Sequence, residues 1–262
     1  MSYLMESAAE GRRLLAQEAA NPSLERLRLT GLKEGDFAAD VGCGAGAVTG
    51  LMARLVGERG RVTAIEPNAD RLAEARAHVG QLPNVEFLEA GLPGINLSDA
   101  QFDYVWCQYV LEYFADPRPA LKDLVRLTRR GGRLVVAELD GFGLAYWPVS
   151  PEVEAGKETF LRALASTGFD LFIGRKLYSY FREAGLTDVA AHVSPFHVTV
   201  GQADERLLAD WRQRFEVLRP VMVPAFGTSE AYLRFAQSYL DLLASPDSFK
   251  YSVILTVSGR RP

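Results

Sequence analysis

The stretch FAADVGCGAGAVTGLMARL, residues 37 to 55, constrains this chain more than any other segment. An apolar run ends at Asp40, glycines follow at positions 42, 44 and 46, and a helix is expected from about Ala47. Glycine has no Cβ, so alternate glycines let the backbone turn sharply and let a ligand lie against it. The loop also leads into a helix N-terminus, where unpaired amides and the helix dipole favour electron-rich groups. A strand, a glycine loop and a helix in this order predict a binding loop for a nucleotide-like ligand.

The glycines alone leave the ligand open. Gly42, Gly44 and Ala47 satisfy the dinucleotide pattern G-x-G-x-x-G/A, which keeps an NAD-dependent oxidoreductase among the readings. The segments that follow supply the context. RVTAIEPNADRLAEARAHV, residues 61 to 79, predicts a short strand, then Glu66, a turn and an amphipathic helix. Glu66 stands twenty residues after Gly46, at the tip of that strand, where a carboxylate can accept hydrogen bonds from two vicinal ribose hydroxyls. Residues 84–90 (NVEFLEA) predict a third strand, 101–121 (QFDYVWCQYVLEYFADPRPAL) a fourth strand and helix start, and 129–140 (RRGGRLVVAELD) a glycine stop and fifth strand. Strands alternating with helices, with polar residues at strand carboxyl ends, describe an open parallel sheet whose site lies at the switch point.

The string D-V-G-C-G-A-G, with Asp40 two residues before the first glycine, resembles motif I of the class I S-adenosylmethionine (SAM) methyltransferases. The resemblance continues in register through the segment FDYVWCQYVLEYFADP and on to residue 140, and it is similar to the biosynthetic "type 11" members. It implies an α/β fold: a Rossmann-like seven-stranded sheet, last strand antiparallel, flanked by helices. It further implies that Asp40 lies under the cationic methionine end of SAM, and that Gly42, Cys43, Gly44 and Gly46 pass beneath sugar and methionine. Glu66, Pro67 and Asn68 would then meet the ribose, and Glu89, Ala90 and Gly91 the adenine, a departure from the family's common Asp-Ala. Cys107, Gln108 and Tyr109 would face the cleft, and Tyr113 stands where many members carry a histidine.

Around this core the chain predicts two elaborations. Residues 1–35 read as helices that act as a lid over SAM, with Tyr3 and Gln17 as contacts, and 36–262 as the methyltransferase domain. Cap insertions are expected at about 141–180 and 201–247, with helices over Glu152–Ser166, Gly174–Ala184, around Trp211 and over Ser229–Leu243. A sixth strand, interrupted near Pro195, and a final alternating strand from 250 to 262 complete the sheet, the last inserted antiparallel. The insertions are rich in aromatics, most of them expected as core of the added helices and some as walls of an apolar pocket suited to an organic small molecule.

Composition narrows the function classes. A net charge of −4 predicts no basic face for nucleic acid, and no N/D-P-P-Y/F segment follows the fourth strand. Two cysteines give no disulfide framework, and Asp140 alone does not make a metal site, so no metal is expected. With no long apolar run and no cleavable signal visible, a soluble, cytoplasmic protein without membrane contact is expected, with a homodimer allowed by aromatics on the added helices. The function expected is methyl transfer from SAM to a small, largely apolar or aromatic metabolite at O, N or C; the alternative is a SAM-binding homologue, a cyclase or regulatory protein, that does not methylate. Transfer is an in-line displacement that proximity can drive, so a base is optional. Among possible bases, His192, His197 and Tyr109 are the weak candidates, with Glu112 beside Tyr109, while His78 is expected at the surface.

Overall fold

The computed structural model describes residues 11, 13, 15, 18 and 23–262. Gly11, Arg13, Leu15 and Glu18 are helical; Tyr3 and Gln17 lie outside the described residues. From Ser23 onward the elements are α1 (Leu24–Leu29), β1 (Phe37–Val41), α2 (Ala47–Val56), β2 (Arg61–Glu66), α3 (Ala69–Val79), β3 (Val85–Glu89) and β4 (Phe102–Gln108). After a 3-10 turn at Leu111–Tyr113 come α4 (Arg118–Leu127), β5 (Thr128–Trp147), α5 (Pro151–Ser166), α6 (Ile173–Glu183) and β6 (Thr187–Val200). Finally α7 (Glu205–Phe226), α8 (Ser229–Ala244) and β7 (Phe249–Arg260) follow.

One seven-stranded sheet runs in the order β3-β2-β1-β4-β5-β7-β6. The first five strands are parallel, and β7 is antiparallel to both β5 and β6. β1 pairs with β2 on one side and β4 on the other, so the strand order reverses there and a crevice opens beyond the carboxyl ends. The buried runs of β1 and β4 suit strands covered on both faces. On one face α4 and α6 pack through Leu121, Leu124, Ile173, Leu177 and Phe181. On the other, α1 and α2 pack Leu27, Val48, Met52 and Val56 against Tyr104 and Trp106.

A third core lies above the sheet, formed by α5, α7 and α8. On α7, Leu208, Trp211, Phe215, Leu218 and Met222 recur at three- and four-residue intervals and are all buried, the stripe an amphipathic helix needs. Ser150 and Asp204 cap α5 and α7 by accepting from the amides of Val153 and Leu207. The stretch expected as cap from 141 to 180 divides into three parts. Residues 141–147 continue β5 past a register shift and pair with β7 at Ala145–Tyr251. Pro151–Ser166 joins the cap, whereas Ile173–Glu183 packs on the sheet because Ile173, Leu177 and Phe181 form one apolar face toward it. The sixth strand runs through Pro195, which pairs opposite Val253, and is irregular just beyond it, between Phe196 and Thr199, where His197 has φ +47°, and again between Thr187 and Ala190. Pro195 is tolerated because β6 is the edge strand and the missing N–H can face outward.

The cap is held by aromatic contacts that centre on Phe215, whose ring meets Trp211, Tyr232, Phe235 and Tyr239 at centroid distances of 5.7–6.3 Å. Replacing Phe215 by Ala is expected to lower the unfolding free energy by about 3–5 kcal/mol. The Tyr232 hydroxyl donates to the Phe215 carbonyl at 2.7 Å, and Tyr232→Phe is expected to cost about 1 kcal/mol. Urea denaturation followed by circular dichroism measures both, and equal losses would contradict this ranking.

Candidate cofactor and substrate site

The glycine loop hangs from β2. The amides of Gly42 and Cys43 both donate to the Ile65 carbonyl, at 2.8 and 3.1 Å. Gly42 sits at φ +77°, and a Cβ there would come within 2.3 Å of a Val110 methyl, so glycine is required by conformation and space together. Gly46 caps α2 at φ +78°. Its Cβ would stand 3.0 Å from the Ala75 backbone, so this glycine serves the close approach of α2 and α3.

Two carboxylates frame the loop. Glu66 accepts from the Gly44 amide through Oε2 at 3.0 Å and from the Asn68 amide through Oε1 at 3.1 Å. Both oxygens are thereby fixed in place as acceptors. Asp40 is 3% exposed and accepts from the Thr49 hydroxyl at 2.6 Å. Burial, reinforced by Glu18 and Glu66, pushes its carboxyl up to about 7. Burial also pushes the Cys43 thiol up, so it is a small apolar loop residue rather than a nucleophile.

A cavity of about 630 Å³ opens over these groups. Of the residues expected at the cofactor, Asp40, Gly42, Cys43, Gly44, Glu66, Pro67, Asn68, Ala90, Gly91, Gln108 and Tyr109 line it. Gly46, Glu89 and Cys107 do not. Glu89 pairs beside Glu66 in the sheet but is exposed, and Cys107 is fully buried in the sheet core. Asn68 spends its side-chain oxygen capping α3, accepting from the amides of Asp70 and Arg71.

The far end of the cavity contains groups that sequence reasoning missed or weighed lightly. Arg13 and Glu18 reach it from the N-terminal helical residues. The Ser23 hydroxyl lies 2.8 Å from Glu18 Oε2 and 3.0 Å from Gln108 Oε1, which ties that segment to the end of β4. Glu112 lines the cavity at 5% exposure, its carboxyl pushed up to about 7 by burial against the pull of Arg13 and Arg214. Glu138 on β5 accepts from the amides of Val110 and Leu111 at 2.9 and 2.7 Å and shapes the turn after β4. Its only sequence signal is an acid inside the apolar run LVVAELD. Cap residues Phe160, Leu164, Trp211, Arg214 and Leu218 close the cavity.

The histidines lie elsewhere. His192 sits on β6 opposite Thr256, and His197 stacks on Phe196 at 3.9 Å; neither lines the cavity. Burial lowers the His197 ring to about 4, so it is neutral near pH 7. His78 is exposed. Tyr109 does line the cavity, at φ +56° just past β4, but burial raises its hydroxyl and makes it a poor base. Asp140 forms a two-point ion pair with Arg175, and no cluster of metal-binding side chains occurs among the described residues.

The donors and acceptors fit SAM. Its ribose diol needs a fixed carboxylate such as Glu66, its positive methionine end a buried acid such as Asp40, and its close passage a loop like that at Gly42. The strand order β3-β2-β1-β4-β5-β7-β6 with β7 antiparallel is the sheet that the resemblance to class I SAM-dependent methyltransferases implies.

Known proteins narrow the class. Residues 39–136 match the family model described as "Methyltransferase domain". An uncharacterised protein of a Streptomyces fradiae transposon is 35% identical over 219 residues, covering 83% of this chain and 60% of that protein. The ubiquinone/menaquinone biosynthesis C-methyltransferase of Klebsiella pneumoniae is 32% identical over 112 residues, covering 42% of this chain and 45% of that enzyme. The chain thus spans 60% or less of the length of these curated relatives. A Bacillus halodurans crystal structure superposes with a TM-score of 0.60 at 19% identity, covering 91% of this chain and 98% of that one, a likeness of fold. Residues 39–136 thus carry a methyltransferase domain of the SAM-dependent kind, with SAM as its cofactor.

A cation beside Asp40 stabilises its ionised form, so binding must work against a proton wherever Asp40 is protonated in the free protein. SAM affinity is therefore expected to rise with pH up to about 7 and then level, with binding at pH 6 about tenfold weaker than at pH 8. Calorimetry at the two pH values measures this, and Asp40→Asn should bind weakly and without that slope. A parent affinity that falls as pH rises would refute the role given to Asp40.

Proposed function

We propose that this chain transfers the methyl group of SAM to a small, largely apolar or aromatic metabolite. The observation that carries the reading is the continuity of one cavity, with the glycine loop, Asp40 and Glu66 at one end and the cap side chains Phe160, Leu164, Trp211 and Leu218 at the other. Bound SAM would supply an electrophilic methyl on a positively charged sulfur. Asp40, the loop and Glu66 hold the cofactor end, with Pro67, Asn68, Ala90 and Gly91 beside it. The cap excludes water and presses an apolar acceptor toward the carboxyl ends of β1 and β4, where proximity and alignment lower the barrier. The absence of a histidine from the cavity wall favours a reaction driven by positioning.

The helical residues Arg13 and Glu18 at the cavity support the reading of the N-terminal segment as a cover over the site. No helix among the described residues is long and apolar enough to cross a membrane. We keep a small-molecule acceptor, no nucleic-acid partner and a cytoplasmic setting as parts of this proposal, with a homodimer as the state to be checked by light scattering.

The test is incubation of the protein with SAM carrying a deuterated methyl group and a panel of phenols, quinols, amines and hydroxylated polyketides. Mass spectrometry should find one acceptor gaining the labelled methyl with stoichiometric S-adenosylhomocysteine. Replacing Glu66 by Ala should reduce turnover at least tenfold, mainly through weaker SAM binding. Tight SAM binding with no acceptor methylated in any class would turn the reading toward a non-methylating homologue.

A further inference from the structure

Arg214 is the feature of the cavity that the cofactor reading leaves unused. It stands one turn along α7 from Trp211 and lines the cavity from the cap side. Its Nε donates to Asp210 at 2.8 Å, an i,i+4 pair in which both side chains are largely buried, 13% and 20% exposed. That bond fixes the plane of the guanidinium. Among the described residues, its two terminal nitrogens donate to no group. The guanidinium is thus oriented by Asp210 with its outer donors open to the cavity, where a ligand can accept from them.

The surroundings specify what kind of ligand. The guanidinium carbon lies 4.9 Å above the Phe142 ring and 5.8 Å from the Trp211 ring, and those two rings stack on each other at 5.3 Å. A flat apolar body lying along these rings would bring an oxygen substituent to the fork of the guanidinium, which matches a planar oxyanion in shape and charge. The other charged groups near that end do not occupy this role. Asp170 is paired with Lys176 at 2.6 Å, and Glu138 is committed to the turn after β4. Glu112 is pushed up by burial against the pull of Arg13 and Arg214, to about 7, so below that pH its carboxyl can donate to an anion.

We propose that Arg214 anchors the acceptor, and that the acceptor is a ring-bearing apolar molecule carrying an anionic oxygen group, a carboxylate or an acidic phenol or enol. The proposal rests on the methyltransferase reading for the identity of the neighbouring end of the cavity, and it makes Arg214 a binding residue rather than a reacting one.

The experiment is calorimetry on protein saturated with S-adenosylhomocysteine, whose own binding is measured first. Failure of that first step would count against the cofactor reading, whereas the following steps address Arg214 alone. The probes are 2-naphthoate, its neutral isostere 2-naphthamide, and 4-nitrophenol, whose ionised form is coloured. The parent is expected to bind 2-naphthoate at least tenfold more tightly than 2-naphthamide, or to bind 4-nitrophenol with its ionisation shifted toward lower pH. The first result identifies a carboxylate, the second a phenol or enol. Arg214→Gln should remove at least tenfold of the anion's affinity while changing that of 2-naphthamide and of S-adenosylhomocysteine less than twofold, and Arg214→Lys should restore part of it. Because Arg214→Gln leaves Asp210 without its cation, the double variant Asp210→Asn/Arg214→Gln is tested alongside, with thermal unfolding to confirm a folded cap. Equal or undetectable binding of anion and amide by the parent, together with an unshifted 4-nitrophenol ionisation, overturns the proposal. So does an Arg214→Gln variant that weakens S-adenosylhomocysteine and leaves the anion untouched, which would assign Arg214 to the cofactor.

Discussion

Everything at this site depends on β1 being hydrogen-bonded in parallel to two strands at once. Its ladder to β2 places the Ile65 carbonyl under the glycine loop, and its ladder to β4 places Gln108 and Tyr109 across from it. Because the strand order reverses between β1 and β4, the connections leave in opposite directions and nothing of the sheet fills the space between them. The loop closes tightly only because Gly42 lets Val110 approach, and Val110 is itself held by Glu138 from the next strand. One backbone pairing thus sets the positions of four separate segments.

The electrostatics of the cavity follow from how each acid is satisfied. Glu66 takes two backbone amides and remains an acceptor suited to hydroxyls. Asp40 has one hydroxyl donor and is otherwise buried, so its charge is costly until a cation arrives. Glu112 and Glu138 are both buried, and burial, reinforced by Glu112, pushes Glu138 well above the usual carboxylate range. Carboxyl groups of the same chemistry are therefore prepared for different partners by their surroundings alone.

The parts of this arrangement legible in the sequence are those whose signals are local. A glycine loop between an apolar run and a helix, and an acid at the next strand's tip, are separated by few residues and follow from backbone geometry. The antiparallel insertion of the last strand was legible through the strand alternation and the resemblance together. What could not be read was assembled from distance. Arg214 enters from a helix far along the chain, Glu138 acts on amides 28 and 27 residues away, and Gly46 answers to Ala75 instead of a ligand. Residue type marks His197 as a candidate base, but its place is decided by an irregularity in β6 that stacks it on Phe196. The cap insertion expected at about 141–180 takes in most of the Gly174–Ala184 helix, whereas the apolar face of Ile173–Glu183 belongs to the sheet.

The antiparallel strand β7 has a consequence for how this architecture comes together. β6 touches the sheet only through β7, and β5 has no neighbour on that side until β7 arrives. The half of the sheet that carries the glycine loop can complete its ladders with residues up to the end of β5. The cap helices α7 and α8 lie between β6 and β7 in the chain, so the closing strand is separated from β6 by the whole of that pair. Until that strand pairs, β5 and β6 present open edges, the surfaces through which unfinished sheets join one another. Slow or interrupted pairing of residues 249–260 would thus endanger solubility before it endangered cofactor binding.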